Sequence, residues 1–229
     1  MQSSRTLLMD AQRFPGDRIA GIAMLSASLL ILLLLANHPN ATASDLAGIV
    51  RELADQAWVD RFVHGSLMTL MGLLLFAYVE FSYWLGLQKR LVRLATIAYA
   101  IGICAMFAAA LTDSFVLTAV AERYLEDSAR DLEPFRALLR LCSFASQSLS
   151  TFGALAMSTG IGCWCVALWR KDGAGNSWLA VVGLLLGLLP SIVLLSGLFN
   201  LHGHEFLVVL VCQIAWNLLL GVQLLRHKV

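Results

Sequence analysis

"LLILLLLA", residues 29–36, and "VVGLLLGLLP", residues 181–190, decide the fold. Neither run contains a polar side chain, so neither alternates apolar and polar residues as a strand of a membrane β-barrel does. In hydrocarbon, backbone amides find no outside partner, and an unbroken apolar run satisfies them internally as a helix. A crossing takes about 20 such residues, because the hydrocarbon layer is about 30 Å thick and a helix rises about 1.5 Å per residue. Outward from these two runs, six stretches pass that test, near 19–36, 62–85, 94–118, 141–169, 177–199 and 205–225. The expected fold class is all-α: a polytopic membrane protein, a six-transmembrane-helix bundle. Residues 1–18 would form an N-terminal segment and 19–229 a single membrane domain.

Composition agrees. Of 229 residues, 59% are apolar and 14% charged, against roughly 45–50% and 25% in soluble domains. A cleaved leader ending at Ala43 is the other reading of the first run. The polar lead before it holds Asp10 and Asp17, and the run is long for a leader, so it is kept as a helix. Basic residues in short loops set orientation. With the N-terminus inside, the inner segments hold ten basic residues, among them Lys89, Arg90, Arg93 and Arg170, against three acidic ones. The outer segments hold six arginines against ten carboxylates. Both termini are therefore expected in the cytoplasm, and the compact loops suit a bacterial inner (plasma) membrane. The formal net charge of +1 gives no electrostatic footprint for nucleic acid. The five cysteines include no CxxC pair, which disfavours disulfide exchange and leaves them as packing residues. Expected partners are the lipid bilayer, other membrane subunits or a second copy of the chain.

Two outer segments carry structure of their own. In "SDLAGIVRELADQAWVDRF", Leu46, Ile49, Val50, Leu53, Ala57 and Trp58 recur at helical spacing, with Arg51, Glu52 and Asp55 opposite. This predicts an amphipathic helix over about 44–60, capped by Ser44, lying at the outer interface or over the bundle mouth. The segment about 119–140 reads as a helix end, a turn and a new helix, with Asp131 or Glu133 as cap and Pro134 in the first turn. "KDGAGNS" is a tight inner turn. Small residues in "GICAMFAAA" and "STGIG" predict close helix contacts. Pro190 predicts a kink, with the carbonyl near Leu186 released from its ladder.

Ionisable and amide side chains at membrane depth are costly and need a partner or a purpose. His64, Asp113 and Gln147 fall near the outer ends of their helices, and His202 and His204 lie in the turn before the last one. These five are the candidate ligand-binding residues, converging on one outer layer. Imidazole and carboxylate are also ligands for zinc. His64, Asp113 and His204 would make a three-ligand set, with Glu205 as base for a metal-activated water. His64 with Met68 and Met71 offers a second set, open to copper or to haem iron through His/Met ligation. The plainer readings are a hydrogen-bonded helix network for the first group and core packing for the methionines. Deeper in, Glu80, Gln213 and Asn217 could line a polar path, or serve as glue between helices.

A histidine and an aspartate in early helices (His64, Asp113), with His202 and His204 before the last, resembles in outline the CREST-type membrane hydrolases, such as the alkaline ceramidases. That family has seven spans and an HxxxH pair in its last helix, whereas this chain shows six apolar runs and "HGHEF". The resemblance implies only an alternative, a zinc hydrolase acting on lipid. The leading expectation is non-enzymatic: an outward-facing polar pocket that binds a small ligand, or an accessory subunit of a membrane complex. A small-solute or ion transporter is the third reading.

Overall fold

The computed structural model describes residues 16–37, 43–126, 132–172, 178–195 and 204–226, the side chains at 16–17, 172, 193–194 and 204–207 excepted. Among these residues every element is helical and none is a strand. Helices α1 (Gly16–Ala36), α2 (Leu46–Asp55), α3 (Ala57–Leu85) and α4 (Arg90–Ala110) come first. A π-helical stretch, Leu111–Val116, joins α4 to α5 (Leu117–Glu126). Then follow α6 (Glu133–Asp172), α7 (Trp178–Gly187), α8 (Leu189–Leu195) and α9 (His204–Arg226).

Among the described residues, five helical stretches are long and apolar enough to cross a membrane: Arg18–Ala36, Ala57–Leu85, Arg90–Glu126, Glu133–Lys171 and Val208–Arg226. The expected span over 177–199 differs. Its described part, residues 178–195, is divided into α7 and α8 at Leu188, and residues 177 and 196–199 lie outside the described residues. Pro190 is the physical cause, since its ring has no N–H and clashes with the carbonyl four residues back. The ladder resumes on either side, Leu188 N–H donating to Leu184 O and Ile192 N–H to Leu188 O at 3.1 Å each.

Neighbouring helices close a ring. α1 packs between α3 and α9, α4 between α3 and α6, and α7 between α6 and α9. Chain direction alternates around it, so one end gathers Asp60, Asp113 and Glu122 and the other Lys89, Arg90, Arg170 and Arg226. We call these the acidic and basic ends. Two seams are closed by small residues. A Cβ on Gly102 would fall 2.7 Å from the Gly153 carbonyl oxygen, so α4 and α6 touch backbone to backbone. Gly21 and Gly221 bring α1 and α9 together in the same way. Apolar burial does little to join helices in lipid, which leaves close packing of this kind as the main attraction. The aromatic core of Tyr78, Tyr99 and Trp164 sits between these seams, fully buried.

At the acidic end, α2 is shorter than expected. Its cap is Asp45, whose carboxylate accepts the Gly48 N–H at 3.3 Å, and not Ser44. Asp45 holds the extended backbone that the cap position requires (φ −108°, ψ 155°), and its carboxylate accepts more strongly than a hydroxyl. The helix stops at Asp55, Gln56 makes the corner, and residues 57–60 already belong to α3. The apolar face of α2 packs through Val50 against Leu117, Ala121, Phe135 and Cys142, and so covers protein rather than lipid. α6 has 40 residues, about 60 Å of helix, twice the hydrocarbon thickness. It therefore projects beyond any bilayer that the ring spans. Its first turn is closed by the Leu132 carbonyl, which accepts Arg136 N–H at 3.0 Å. Asp131 and residues 173–177 of the "KDGAGNS" turn lie outside the described residues.

Candidate functional site

The site is built from the first two turns of α3. Asp60 and His64 are four residues apart and share a face. The imidazole Nδ1 lies 3.0 Å from the Asp60 carbonyl oxygen and 3.1 Å from Asp60 Oδ1. Both neighbours are acceptors, so Nδ1 carries a proton and the ring is held in one orientation. Nε2 faces Asp113 Oδ2 at 3.9 Å, beyond a direct hydrogen bond but within ion-pair range. His64 is buried, whereas the Asp113 side chain is 45% exposed. A pinned imidazole thus stands behind an accessible carboxylate.

Asp113 owes its position to the π-helical stretch. An extra residue in the turn widens the helix and re-aims the side chains, and such insertions often mark functional positions. Hydroxyls take up the backbone carbonyls there. Thr112 Oγ1 donates to Ala108 O at 2.8 Å, Ser114 Oγ to Ala110 O at 2.9 Å, and Thr118 Oγ1 to Ser114 O. One turn on, Arg61 clips α3 to α5, with Nε donating to Thr118 Oγ1 at 3.1 Å and Nη2 to Glu122 Oε2 at 2.5 Å. Asp60, Arg61, Thr118 and Glu122 were not among the residues the sequence singles out. For Asp60 a signal existed, since it stands one helical turn before His64.

Of the expected five, His64 and Asp113 come together. Gln147 lies on an exposed face of α6. His202 lies outside the described residues, and His204 opens α9 with its side chain outside them. Among the described residues, no three His, Cys, Asp or Glu side chains group as a metal site. The zinc set of His64, Asp113 and His204 includes a side chain outside the described residues. With the Nδ1 of His64 turned to Asp60, Nε2 is the ring nitrogen left to face other groups.

Gln213 and Asn217 are buried in the core. Gln213 Nε2 donates to Ser158 Oγ at 2.8 Å and to Ala154 O at 3.2 Å, and Ser191 Oγ donates to Ser158 Oγ at 2.6 Å. Asn217 Oδ1 accepts the Tyr78 hydroxyl at 2.5 Å. Glu80, half-buried, stands two residues beyond Tyr78, about 200° around α3 from it, and so on a different face. No protein-family model, curated protein or solved structure matches this chain. The likeness to CREST-type hydrolases therefore transfers no activity.

Proposed function

We propose that this chain is an integral membrane protein of six spans, with both termini in the cytoplasm of a bacterial inner membrane, whose outward-facing polar site binds a small ligand. α7 and α8 together provide about 27 Å of helix, close to the hydrocarbon thickness, and would serve as the fifth of six spans. Basic residues then lie inside and carboxylates outside, as charge asymmetry favours. One observation carries the binding reading: the His64 imidazole is fixed by Asp60 behind the accessible Asp113 carboxylate. Asp60, Asp113 and Glu122 outnumber Arg61 there, which suits a ligand that brings hydrogen-bond donors or positive charge. The reading is non-enzymatic.

The test is the thermal stability of detergent-purified protein beside Asp113→Asn and His64→Gln, with and without a panel of small amines, amides and polyols. Groups kept for binding are commonly not optimised for stability. Asp113→Asn is expected to melt at or above the wild-type temperature, and only the wild type is expected to gain from a panel member. A clearly destabilised Asp113→Asn with no ligand response in the wild type would make the cluster a helix tie and end the binding reading.

A further inference from the structure

At the basic end, the start of α4 and the last turns of α6 border an open cavity of about 600 Å³ lined by Lys89, Arg90, Leu91, Leu94, Ala167 and Arg170. Three cations thus stand over three apolar side chains, an amphipathic lining. All three cationic residues are exposed. Lys89 occupies the cap position of α4 without capping it through its side chain. The first-turn amides and the positive end of the helix dipole therefore add to the same rim.

Two further features set the cavity against the bilayer. Tyr83, Trp169 and Trp178 are exposed at this end, and the Lys171 ammonium sits 3.2 Å over the Trp84 ring. Tyrosine and tryptophan gather where the bilayer meets water, so the rim lies at head-group level. Below it, the exposed side chains of Leu94, Ile97 and Ile101 continue down one face of α4.

We infer that this cavity holds the anionic head group of a membrane phospholipid, its phosphate on Lys89, Arg90 and Arg170 and an acyl chain along Leu94, Ile97 and Ile101. The guanidinium fork matches phosphate oxygens in pairs. A lipid with a neutral glycerol beyond the phosphate keeps its full negative charge for the third cation. One with a choline sets a positive group against it. Basic pockets between membrane helices recognise anionic head groups in this way.

The experiment uses the full chain in a neutral detergent, titrated with phosphatidylglycerol in mixed micelles and followed by native mass spectrometry. Phosphatidylcholine with the same chains and inorganic phosphate are the other arms. Phosphatidylglycerol is expected to bind about tenfold more tightly than phosphatidylcholine. Arg90→Gln/Arg170→Gln should erase that preference. Arg18→Gln/Arg226→Gln, with the same charge change at the same end but outside the cavity, should keep it. Should the first double variant fail to fold, Lys89→Gln alone should cut the preference about fivefold. Equal binding of the two lipids, equal loss in both double variants, or displacement of phosphatidylglycerol by inorganic phosphate at matched concentration would each overturn the site.

Discussion

The Tyr78 hydroxyl on α3 donates to Asn217 Oδ1 on α9 across 2.5 Å, joining side chains 139 residues apart in the chain. The Tyr78 ring also lies flat on Trp164 of α6, with centroids 4.4 Å apart and planes within 7°. Trp164 Nε1 in turn donates to Ser82 Oγ at 2.8 Å. With Tyr99 of α4 against the Tyr78 ring at 4.3 Å, four helices meet at one tyrosine. A phenol or amide left unpaired in hydrocarbon costs several kcal/mol, so each of these groups specifies its neighbour as well as holding it.

Tyr78→Phe removes the hydroxyl and keeps the stack, so it is expected to cost about 1 kcal/mol, within the range of interhelical hydrogen bonds in lipid. Tyr78→Ala also loses the contacts with Trp164 and Tyr99 and should cost about 3–5 kcal/mol. Unfolding in mixed micelles measures both. In a double-mutant cycle with Asn217→Leu, the Tyr78→Phe loss should largely disappear. Full additivity would mean that the bond contributes nothing.

The α4–α6 seam predicts opposite outcomes for two glycines. A Cβ on Gly102 meets the Gly153 carbonyl oxygen at 2.7 Å and Met157 at 2.6 Å, whereas one on Gly72 meets nothing within 4 Å. Gly102→Ala must push the α4 and α6 backbones apart and should lose about 1–3 kcal/mol. Gly72→Ala gains helix propensity in open space and should be neutral or stabilising by up to about 1 kcal/mol. Equal effects on melting temperature would show that the seam is not held by close approach.

These particulars separate what the sequence makes legible from what it hides. The bilayer dictates length and composition, so long apolar helices could be read directly, as could a break near Pro190. That the ladder breaks at Leu188, with helix resuming at once beyond it, could not. The π-helical stretch was hidden too, since nothing in "LTDSFV" announces an extra residue in the turn. His64 and Asp113 were found because ionisable groups stand out against an apolar background. Their neighbours Arg61 and Glu122 read as ordinary loop-end charges, and only the fold brings them together. Asn217 was visible as an amide inside a helix. Its partner Tyr78 was not, because a tyrosine near a helix end reads first as an interface anchor.

Parity separates five crossings from six. The five long helices alone would leave the two termini on opposite sides of a membrane, whereas six crossings, with α7 and α8 as one, return the chain to its starting side. Positive charge on both terminal segments, Arg5, Arg13 and Arg18 at one and Arg226 and Lys228 at the other, favours the second arrangement. A green fluorescent protein fused to either terminus is expected to fluoresce, and alkaline phosphatase at either terminus to stay inactive. Phosphatase inserted after Asp55, at the acidic end, should be active, and the same insertion after Gln88, at the basic end, should not. An active phosphatase at the C-terminus with an inactive one at the N-terminus would contradict the ring itself, in which α9 runs antiparallel to α1 and ends beside its start.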